Sequence, residues 1–152
     1  MKKMDNPFIV KLLYAFSTPK NLYLVLEHCS GGDIEYHIDQ KEVFDEQTSK
    51  FFAAEILLAL EYLHSKQVLY RDLKPGNILI DADGHVKLAD FGLAKDMGCK
   101  CCTYSFCGSP AYLSPEMFGK EGITFQSDIY QLGNVLYEML VGLPPFFTSD
   151  LD

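Results

Sequence analysis

The chain has 152 residues, of which 48% are apolar and 22% are charged, and its formal net charge is −8 at pH 7. This length corresponds to about one domain, and the apolar fraction is ordinary for a folded protein, which disfavours an intrinsically disordered chain. No apolar run reaches the roughly 18 residues of a membrane-spanning helix, and the acidic balance disfavours a nucleic-acid binder because it repels phosphate backbones.

Two strands are predicted near the start, over residues 10–16 and 22–27, around a turn that makes them a hairpin. A two-stranded hairpin is marginally stable by itself, so it needs further strands or a packing surface. A Gly-containing breaker cluster follows at residues 29–32. The next predicted element is a long helix that begins after Asp45, a favourable N-cap, and runs to about Ser65. Its apolar face is formed by Phe52, Ile56, Leu60 and Leu63.

Three short strands are predicted at residues 68–69, 78–80 and 86–88, with a tight turn at residues 83–84 between the last two. A second helix is predicted over residues 127–141. Its apolar residues cover most of the circumference, which predicts burial on all sides, and we expect Pro144-Pro145 to end it. A β piece followed by a mostly helical piece indicates an α+β fold.

The segment that carries chemistry reads Tyr-Arg-Asp-Leu-Lys-Pro-Gly-Asn at residues 70–77, and Asp-Phe-Gly follows at residues 90–92. Phosphoryl transfer needs positioned cations, hard oxygen ligands for magnesium, and a carboxylate near the acceptor hydroxyl. Asp72 is the candidate carboxylate, and Lys74 is the candidate cation for the γ-phosphate. The candidate magnesium ligands are Asn77 and Asp90.

The alternative explanation is an ordinary polar loop followed by an unrelated Asp-Phe-Gly turn. Five fixed residues within residues 71–77 have a chance probability of roughly 10⁻⁷ to 10⁻⁶ per starting position, taking each residue at ~5% usage. Asp-Phe-Gly on the far side of a hairpin and Ser-Pro-Glu at residues 114–116 make coincidence negligible.

Together these motifs resemble the protein-kinase signature set, and more narrowly the AGC group of serine/threonine kinases, the group of protein kinase A. Tyr70 stands where most kinases have His, as it does in that group. Ser-Phe-Cys-Gly-Ser-Pro at residues 105–110 matches the group's activation-segment motif Thr-Phe-Cys-Gly-Thr-Pro. Residues 22–32 match its fifth strand, hinge and following turn, and residues 136–146 match its buried helix and the loop after it.

The resemblance implies a partial kinase-like fold. Residues 1–27 would be a remnant of the small β lobe with the start of the hinge, and residues 28–152 most of the mainly helical large lobe without its last helices. It implies the cofactors ATP and Mg²⁺. Glu27 and Cys29 would offer hinge backbone groups to adenine, Leu79 would lie under the base, and Asp33 would lie near the ribose.

The resemblance also implies a serine or threonine acceptor on a protein substrate, because Ser109 would bridge Asp72 and Lys74. Ser105 would be a phosphorylated switch, modified by an upstream kinase and held by Arg71 and Lys95. The alternative for Ser105 is an unmodified loop serine.

Four further positions receive structural roles by resemblance. Tyr70 and Phe91 would stack in the apolar spine that joins the lobes, and Asp128 would hydrogen-bond the backbone of the catalytic loop. Glu116 normally pairs with an arginine from the last helices, which this sequence lacks, so we expect its carboxylate to be solvated and structurally idle.

Two other interpretations stay open. The chain has no Gly-x-Gly-x-x-Gly loop and no Val-Ala-Ile-Lys lysine, which are parts of a complete kinase site. It is therefore either part of an enzyme or a non-catalytic interaction module descended from one. A small-molecule phosphotransferase is the weaker third interpretation, since it would not need Ser-Pro-Glu at residues 114–116 or the segment around Ser105.

Five cysteines are present, and four of them lie within residues 99–107. Thiolates suit zinc, but the spacing does not match paired Cys-x2-Cys motifs, so an oxidisable surface loop is the favoured interpretation. Lys11 interrupts the apolar stretch behind the basic start, which disfavours a signal peptide. We therefore expect reduced thiols and a cytoplasmic protein, with the nucleus also open.

Overall fold

The computed structural model describes residues 4–41, 43–105, 107–119 and 122–147. Its strands and helices, in chain order, are β1 (Leu12–Ser17), β2 (Leu22–Leu26), α1 (Ile34–Lys41), α2 (Glu46–Ser65), β3 (Val68–Leu69), β4 (Ile78–Ile80), β5 (Val86–Leu88), β6 (Lys95–Asp96) and α3 (Phe125–Val141). Short 3-10 turns lie at Pro75–Asn77, Pro110–Tyr112 and Pro115–Met117. The predicted partial α+β architecture is confirmed. Phe106, part of the predicted activation-segment motif, lies outside the described residues.

The predicted hairpin forms from β1 and β2, which pair antiparallel from Leu12↔Leu26 to Ser17↔Leu22. Every residue of β2 is exposed, so the hairpin gains little from burial of its own side chains. Its attachment to the rest of the fold comes from the segment before β1. The Val10 N–H donates to the Leu88 carbonyl at 3.0 Å, and the Leu88 N–H donates to the Phe8 carbonyl at 2.9 Å. This pairing supplies the additional surface that a lone hairpin lacks.

Helix α2 forms the centre of the large-lobe core. Asp45 caps it as predicted, because its Oδ1 accepts the Thr48 N–H at 2.9 Å. The predicted apolar face is buried, with Ile56, Leu60 and Leu63 at 0% exposure, and it packs against α3 and β5. Burial of side chains of this size stabilises the fold by about 1.5–3 kcal/mol each.

Helix α3 ends at Val141 as predicted, but it differs from its prediction at its start and on one face. It begins at Phe125 rather than Ser127, because the Thr124 hydroxyl caps the Gln126 N–H. It ends before Gly142, whose φ of 90° suits glycine, so the helix stops ahead of the two prolines. Burial on all sides is wrong, since Ile129 is 44% exposed and Leu140 is 41% exposed. The described elements cover one face of α3 and leave the opposite face to solvent.

Helix α1 is absent from the sequence-based prediction. Its eight residues are mostly polar, and over residues 34–40, whose burial is described, Ile34 and Ile38 are the buried ones. Asp33 caps the helix by accepting the Tyr36 N–H at 2.8 Å. No helix in the described part of the chain is long and apolar enough to span a bilayer.

A buried carboxylate links α2 to the turn before β5. Glu55, 5% exposed, accepts the Val86 N–H at 2.9 Å through Oε2 and contacts His85 Nδ1 at 2.5 Å through Oε1. Hydrogen bonding to Glu55 and the charge of that carboxylate raise the pKa of His85, with smaller contributions from Asp81 and Asp83.

We therefore expect His85 to make the fold more stable in mild acid. A raised folded-state pKa gives stability that is complete below the unfolded value of about 6.5 and is lost as the pH rises through the folded value. Urea unfolding at about pH 6 and about pH 8 tests this. The parent should lose more stability across that interval than His85→Gln. His28→Gln, at an exposed hinge residue, should behave like the parent, and an equal pH dependence in His85→Gln would contradict the prediction.

Candidate active site

The loop between β3 and β4 is anchored by a carboxylate from α3. Asp128, at 0% exposure, accepts the Tyr70 N–H at 3.0 Å through Oδ2 and the Arg71 N–H at 2.8 Å through Oδ1. The same Oδ2 lies 2.7 Å from His64 Nε2 on α2. The role predicted for Asp128 agrees with this geometry, and His64 is an additional partner that sequence reasoning missed.

Asp72 lies at the centre of the site with its carboxylate held on both sides. Its Oδ1 accepts the Ser109 N–H at 3.1 Å and the Ser109 hydroxyl at 3.0 Å. The side-chain amide of Asn77 donates to Asp72 Oδ2 at 2.9 Å and to the Asp72 carbonyl at 2.8 Å. Lys74 Nζ lies 3.9 Å from Oδ2. The predicted bridge from Ser109 to both Asp72 and Lys74 is half present: within the described residues Ser109 bonds Asp72 but not Lys74.

The two predicted magnesium ligands differ in their surroundings. Asn77 is 7% exposed and uses its amide nitrogen on Asp72, which leaves its side-chain oxygen as an acceptor. Asp90 is exposed and accepts the Gly92 N–H at 3.0 Å. Its φ of 46° is uncommon for a residue with a side chain, and such strain is concentrated at functional sites. Both side chains offer the hard oxygen donors that magnesium prefers.

Tyr70 and Phe91 are in contact, as the resemblance implied. Their ring centroids are 5.3 Å apart in an edge-to-face arrangement. The Tyr70 hydroxyl donates to the Ala89 carbonyl, directly before Asp90. Burial raises the pKa of Tyr70 well above its ordinary value, and the charges of Asp72 and Asp90 add to this. The phenol therefore stays neutral and acts as a hydrogen-bond donor.

The predicted adenine-binding residues lie around the hinge. The Glu27 N–H donates to the Lys11 carbonyl at 2.9 Å, so this N–H is already used within the chain. Asp33 forms a bridge to Leu79 on β4, which brings the predicted ribose and adenine contacts side by side. Burial raises the pKa of Cys29, and Glu27 adds to the effect, which disfavours a reactive thiolate.

An ion pair at the hinge escaped sequence reasoning. Lys87 Nζ lies 3.4 Å from Glu27 Oε2, and both side chains are mostly buried. The other oxygen of Glu27 accepts the Lys11 N–H at 2.7 Å. One carboxylate therefore connects the hinge, the segment before β1, and β5. This ion pair could not be predicted from the sequence, because the two partners are 60 residues apart and belong to no local motif.

The surroundings of Ser105 are cationic. Lys95 Nζ lies 3.1 Å from the Ser105 hydroxyl and 2.5 Å from the Thr103 hydroxyl. Arg71 Nη1 contacts the Ser105 carbonyl at 3.4 Å and its Nε donates to the Leu93 carbonyl at 2.7 Å. The two cations predicted to hold a phosphate thus lie beside this serine already.

Glu116 is not idle, contrary to the prediction. Its Oε1 accepts the Ser127 hydroxyl at 2.5 Å, which joins the segment after residue 113 to the start of α3. Burial raises the pKa of Glu116, but the hydrogen bonds that the carboxylate accepts, of which that from Ser127 is the largest, together outweigh burial and leave the pKa below its ordinary value. A hydroxyl on the neighbouring helix thus satisfies the carboxylate that sequence reasoning left without a partner.

The five cysteines are free thiols, and Cys99 and Cys101 are exposed. Across residues 4–41, 43–105, 107–119 and 122–147, no three His, Cys, Asp or Glu side chains converge into a group able to hold a metal ion. The interpretation of the cluster as a zinc site therefore has no geometric support in that part of the chain.

One family model and several known proteins match this sequence along nearly its whole length. Residues 1–152 match the protein kinase domain family. The chain is 47% identical over 152 residues to human serine/threonine-protein kinase Sgk2, covering 99% of this chain and 41% of that protein. It is 49% identical over 151 residues to serine/threonine protein kinase ypkA of Aspergillus fumigatus, covering 99% of this chain and 24% of that protein. With Protein kinase 2 of Dictyostelium discoideum it shares 45% identity over 148 residues, or 97% of this chain and 31% of that protein. The chain thus spans less than half the length of these relatives.

Proposed function

The chain belongs to the protein kinase domain family, and from this we propose that it carries the phosphotransfer site of an AGC-type protein serine/threonine kinase, acting on Mg–ATP and a protein hydroxyl. The observation that carries the proposal is the convergence of Asn77 and Ser109 on the carboxylate of Asp72, with Lys74 beside it. These residues are up to 37 positions apart, and a structural loop alone would not need them at one point.

In this proposal Asp72 orients the acceptor hydroxyl and takes its proton. A carboxylate held by Ser109 and Asn77 is fixed in direction, which is what a positioned general base requires. Asp72 is 8% exposed, so little water competes for its lone pairs. Lys74, with a third of its side chain exposed, can reach outward to steady the phosphate being transferred.

The residues present fit the implied magnesium. Magnesium in phosphate-handling sites takes one or two carboxylates together with phosphate oxygens, and rarely a complete protein cage. The side-chain oxygen of Asn77 and the carboxylate of Asp90 would hold it, which agrees with the lack of a larger acidic or thiolate group among the described residues. When bound there, the ion supplies charge neutralisation for the phosphates.

Adenine would bind along the hinge. The Glu27 carbonyl and the Cys29 backbone would offer hydrogen bonds to the base, and Leu79 would offer it an apolar surface. Asp33 lies next to Leu79 and uses one oxygen to cap α1, which leaves the other for a ribose hydroxyl.

Thermal unfolding with and without Mg–ATP tests the proposal. A ligand that binds the folded state stabilises it by about 2.7 kcal/mol at a hundredfold excess over its dissociation constant. We expect a cooperative transition that Mg–ATP raises in the parent but not in Asp90→Asn. Asp96→Asn, at an exposed aspartate six residues further on, is the matched control and should keep the shift. Lack of any shift in the parent would leave the non-catalytic interaction module as the better interpretation of this chain.

We further propose that Ser105 is phosphorylated by an upstream kinase. A phosphate adds a charge of about −1.5 to −2 and three acceptor oxygens. Lys95 Nζ lies 3.1 Å from the hydroxyl that would carry the phosphate, and Arg71, which contacts the Ser105 carbonyl, would supply a second cation. We expect phosphorylation to slow proteolysis of residues 96–105 and to raise the melting temperature. Lys95→Met should remove most of that gain, whereas Lys20→Met, at an exposed lysine in the turn between β1 and β2, should keep it. Equal protection in both variants would contradict the prediction.

A cytoplasmic or nuclear location is a proposal as well. It is supported by the free cysteines, since exposed thiols such as Cys99 and Cys101 persist in reducing compartments. Localisation of a fluorescent fusion of the full chain tests it, and export to an oxidising compartment would overturn it.

A further inference from the structure

Gln131 lies inside α3, directly beneath the loop that carries Asp72, and its side chain is completely buried. Its Nε2 donates to the Arg71 carbonyl at 3.1 Å, and its Oε1 accepts the Leu73 N–H at 3.1 Å. These two backbone groups belong to the residues immediately before and after Asp72. One side-chain amide therefore hydrogen-bonds the backbone on both sides of Asp72.

This pair of hydrogen bonds requires a side-chain amide. A glutamine side chain offers a donor and an acceptor in one plane, and here each is matched to a backbone group of opposite type. A carboxylate of the same length accepts twice but cannot donate, and a methionine of similar size does neither. Polar groups at full burial are costly unless they are paired, so both bonds are needed to accommodate Gln131 in the core.

Gln131 acts together with Asp128, which lies one helical turn earlier on α3. Residues three apart lie on the same face of a helix, so both side chains point at the loop. Asp128 binds the N–H groups of Tyr70 and Arg71, and Gln131 binds the Arg71 carbonyl and the Leu73 N–H. Tyr70, Arg71 and Leu73 are thus held to a single helix face, and Asp72 lies between the last two.

The loop needs this support because its backbone is strained. Arg71 has a φ of 72°, in the left-handed region that residues with a side chain rarely adopt. Such conformations are costly and persist only where the surrounding contacts hold the backbone in place. Asp128 and Gln131 supply bonds on either side of the Arg71 α-carbon, which fixes the direction in which the following residue, Asp72, projects.

We propose that Gln131 is a positioning residue for Asp72: by bonding the peptide groups on both sides, it holds the carboxylate in the direction that faces the acceptor hydroxyl. This inference rests on the proposed phosphotransfer function of Asp72. It assigns a role to a residue that carries no recognised motif and touches no reacting atom.

The test is Gln131→Met in the full chain, followed by residue-resolved hydrogen exchange. The reporter is the side-chain amide of Asn77, which bonds Asp72 through two atoms and is not a partner of Gln131 among the described residues. We expect exchange at the Leu73 N–H and at the Asn77 amide to accelerate about tenfold each, the equivalent of one lost hydrogen bond. The Tyr70 N–H, which Asp128 holds, should change much less.

Asn134→Leu is the matched control, since Asn134 is a buried amide on the same helix, 6% exposed, and bonds neither Arg71 nor Leu73 within the described residues. It should leave both exchange rates unchanged. Acceleration at Leu73 alone, with Asn77 unaffected, would overturn the proposal, because Gln131 would then support the loop without positioning Asp72. If Gln131→Met does not fold, Gln131→Asn replaces it, because its amide is one methylene too short to reach both backbone groups, and the Asn77 reporter decides in the same way.

Kinetics separate this proposal from the proposed function. In a chain that phosphorylates a serine peptide, Gln131→Met should lower kcat by about 10- to 100-fold with little change in the KM for Mg–ATP, since small displacements of a catalytic group cost rates of that order. A change in KM with kcat preserved would overturn the inference. If the parent transfers no phosphate, the proposed function fails for this chain, and the exchange rate of the Asn77 amide still decides the role of Gln131.

Discussion

Replacing Asp72 by asparagine should lower the rate of phosphotransfer by about 10²- to 10⁴-fold, which is the usual contribution of a positioned general base. An amide has nearly the same size as a carboxylate, but it cannot take a proton from the acceptor hydroxyl. It also presents an N–H₂ group either to Asn77 or to the Ser109 N–H, both of which are donors. The lower rate therefore has two causes: the loss of the proton acceptor and a small displacement of the side chain at position 72.

The measurement is steady-state phosphotransfer from Mg–ATP to a serine peptide, together with the Mg–ATP affinity by calorimetry. We expect kcat to fall while the affinity stays close to that of the parent, since Asp72 is not among the residues proposed to hold the nucleotide or the metal. Asp83→Asn makes the same chemical change on the exposed turn before β5 and should leave both quantities unaltered. A variant that loses affinity in proportion to rate would assign Asp72 to nucleotide binding instead.

The largest effect on stability is expected from Asp128→Ala. This change leaves the N–H groups of Tyr70 and Arg71 unpaired in a fully buried region and removes the partner of His64. Each unpaired buried group costs about 1–3 kcal/mol, so the free energy of unfolding should fall by about 2–6 kcal/mol. That is a large part of the roughly 5–15 kcal/mol that stabilises a typical domain.

Urea unfolding followed by circular dichroism measures this loss as a lower midpoint. Asp39→Ala, at an exposed aspartate on α1, is the matched control and should stay within about 0.5 kcal/mol of the parent. A midpoint for Asp128→Ala that equals the control would mean that water or a rearranged loop satisfies the two N–H groups, and that α3 does not anchor the loop.

Much of the fold and the chemistry was predictable from local pattern. The N-cap at Asp45 and the apolar face of α2 depend on residues three and four positions apart, and the structure has both as predicted. The candidate residues of the site were also identifiable, because an Asp, a Lys and an Asn of the types that phosphoryl transfer needs lie together in residues 70–77. Helix α1 was missed because its residues are mostly polar, with Ile34 and Ile38 as its apolar buried positions, so its periodic signal is weak.

Errors arose where a residue's surroundings come from distant parts of the chain. Glu116 was expected to be idle because its usual partner is missing from the sequence, yet Ser127 takes that place. Ile129 and Leu140 were expected to be buried because they are apolar, yet they lie on the face of α3 that the described elements do not cover. Residue type sets the preference for burial, but the arrangement of neighbouring elements sets the outcome.

The sequence by itself determined which groups are available for chemistry: Asp72, Lys74, Asn77 and Asp90 were identifiable as a phosphotransfer set from their types and spacing. The tertiary structure alone decided how Asp72 is held. Ser109 reaches it from 37 positions away, and Gln131 brackets its backbone from 58 to 60 positions away. The physical reason is range: backbone preferences and helix periodicity act over a few residues, whereas the direction of a buried carboxylate is set by hydrogen bonds that exist only after the distant segments have packed together.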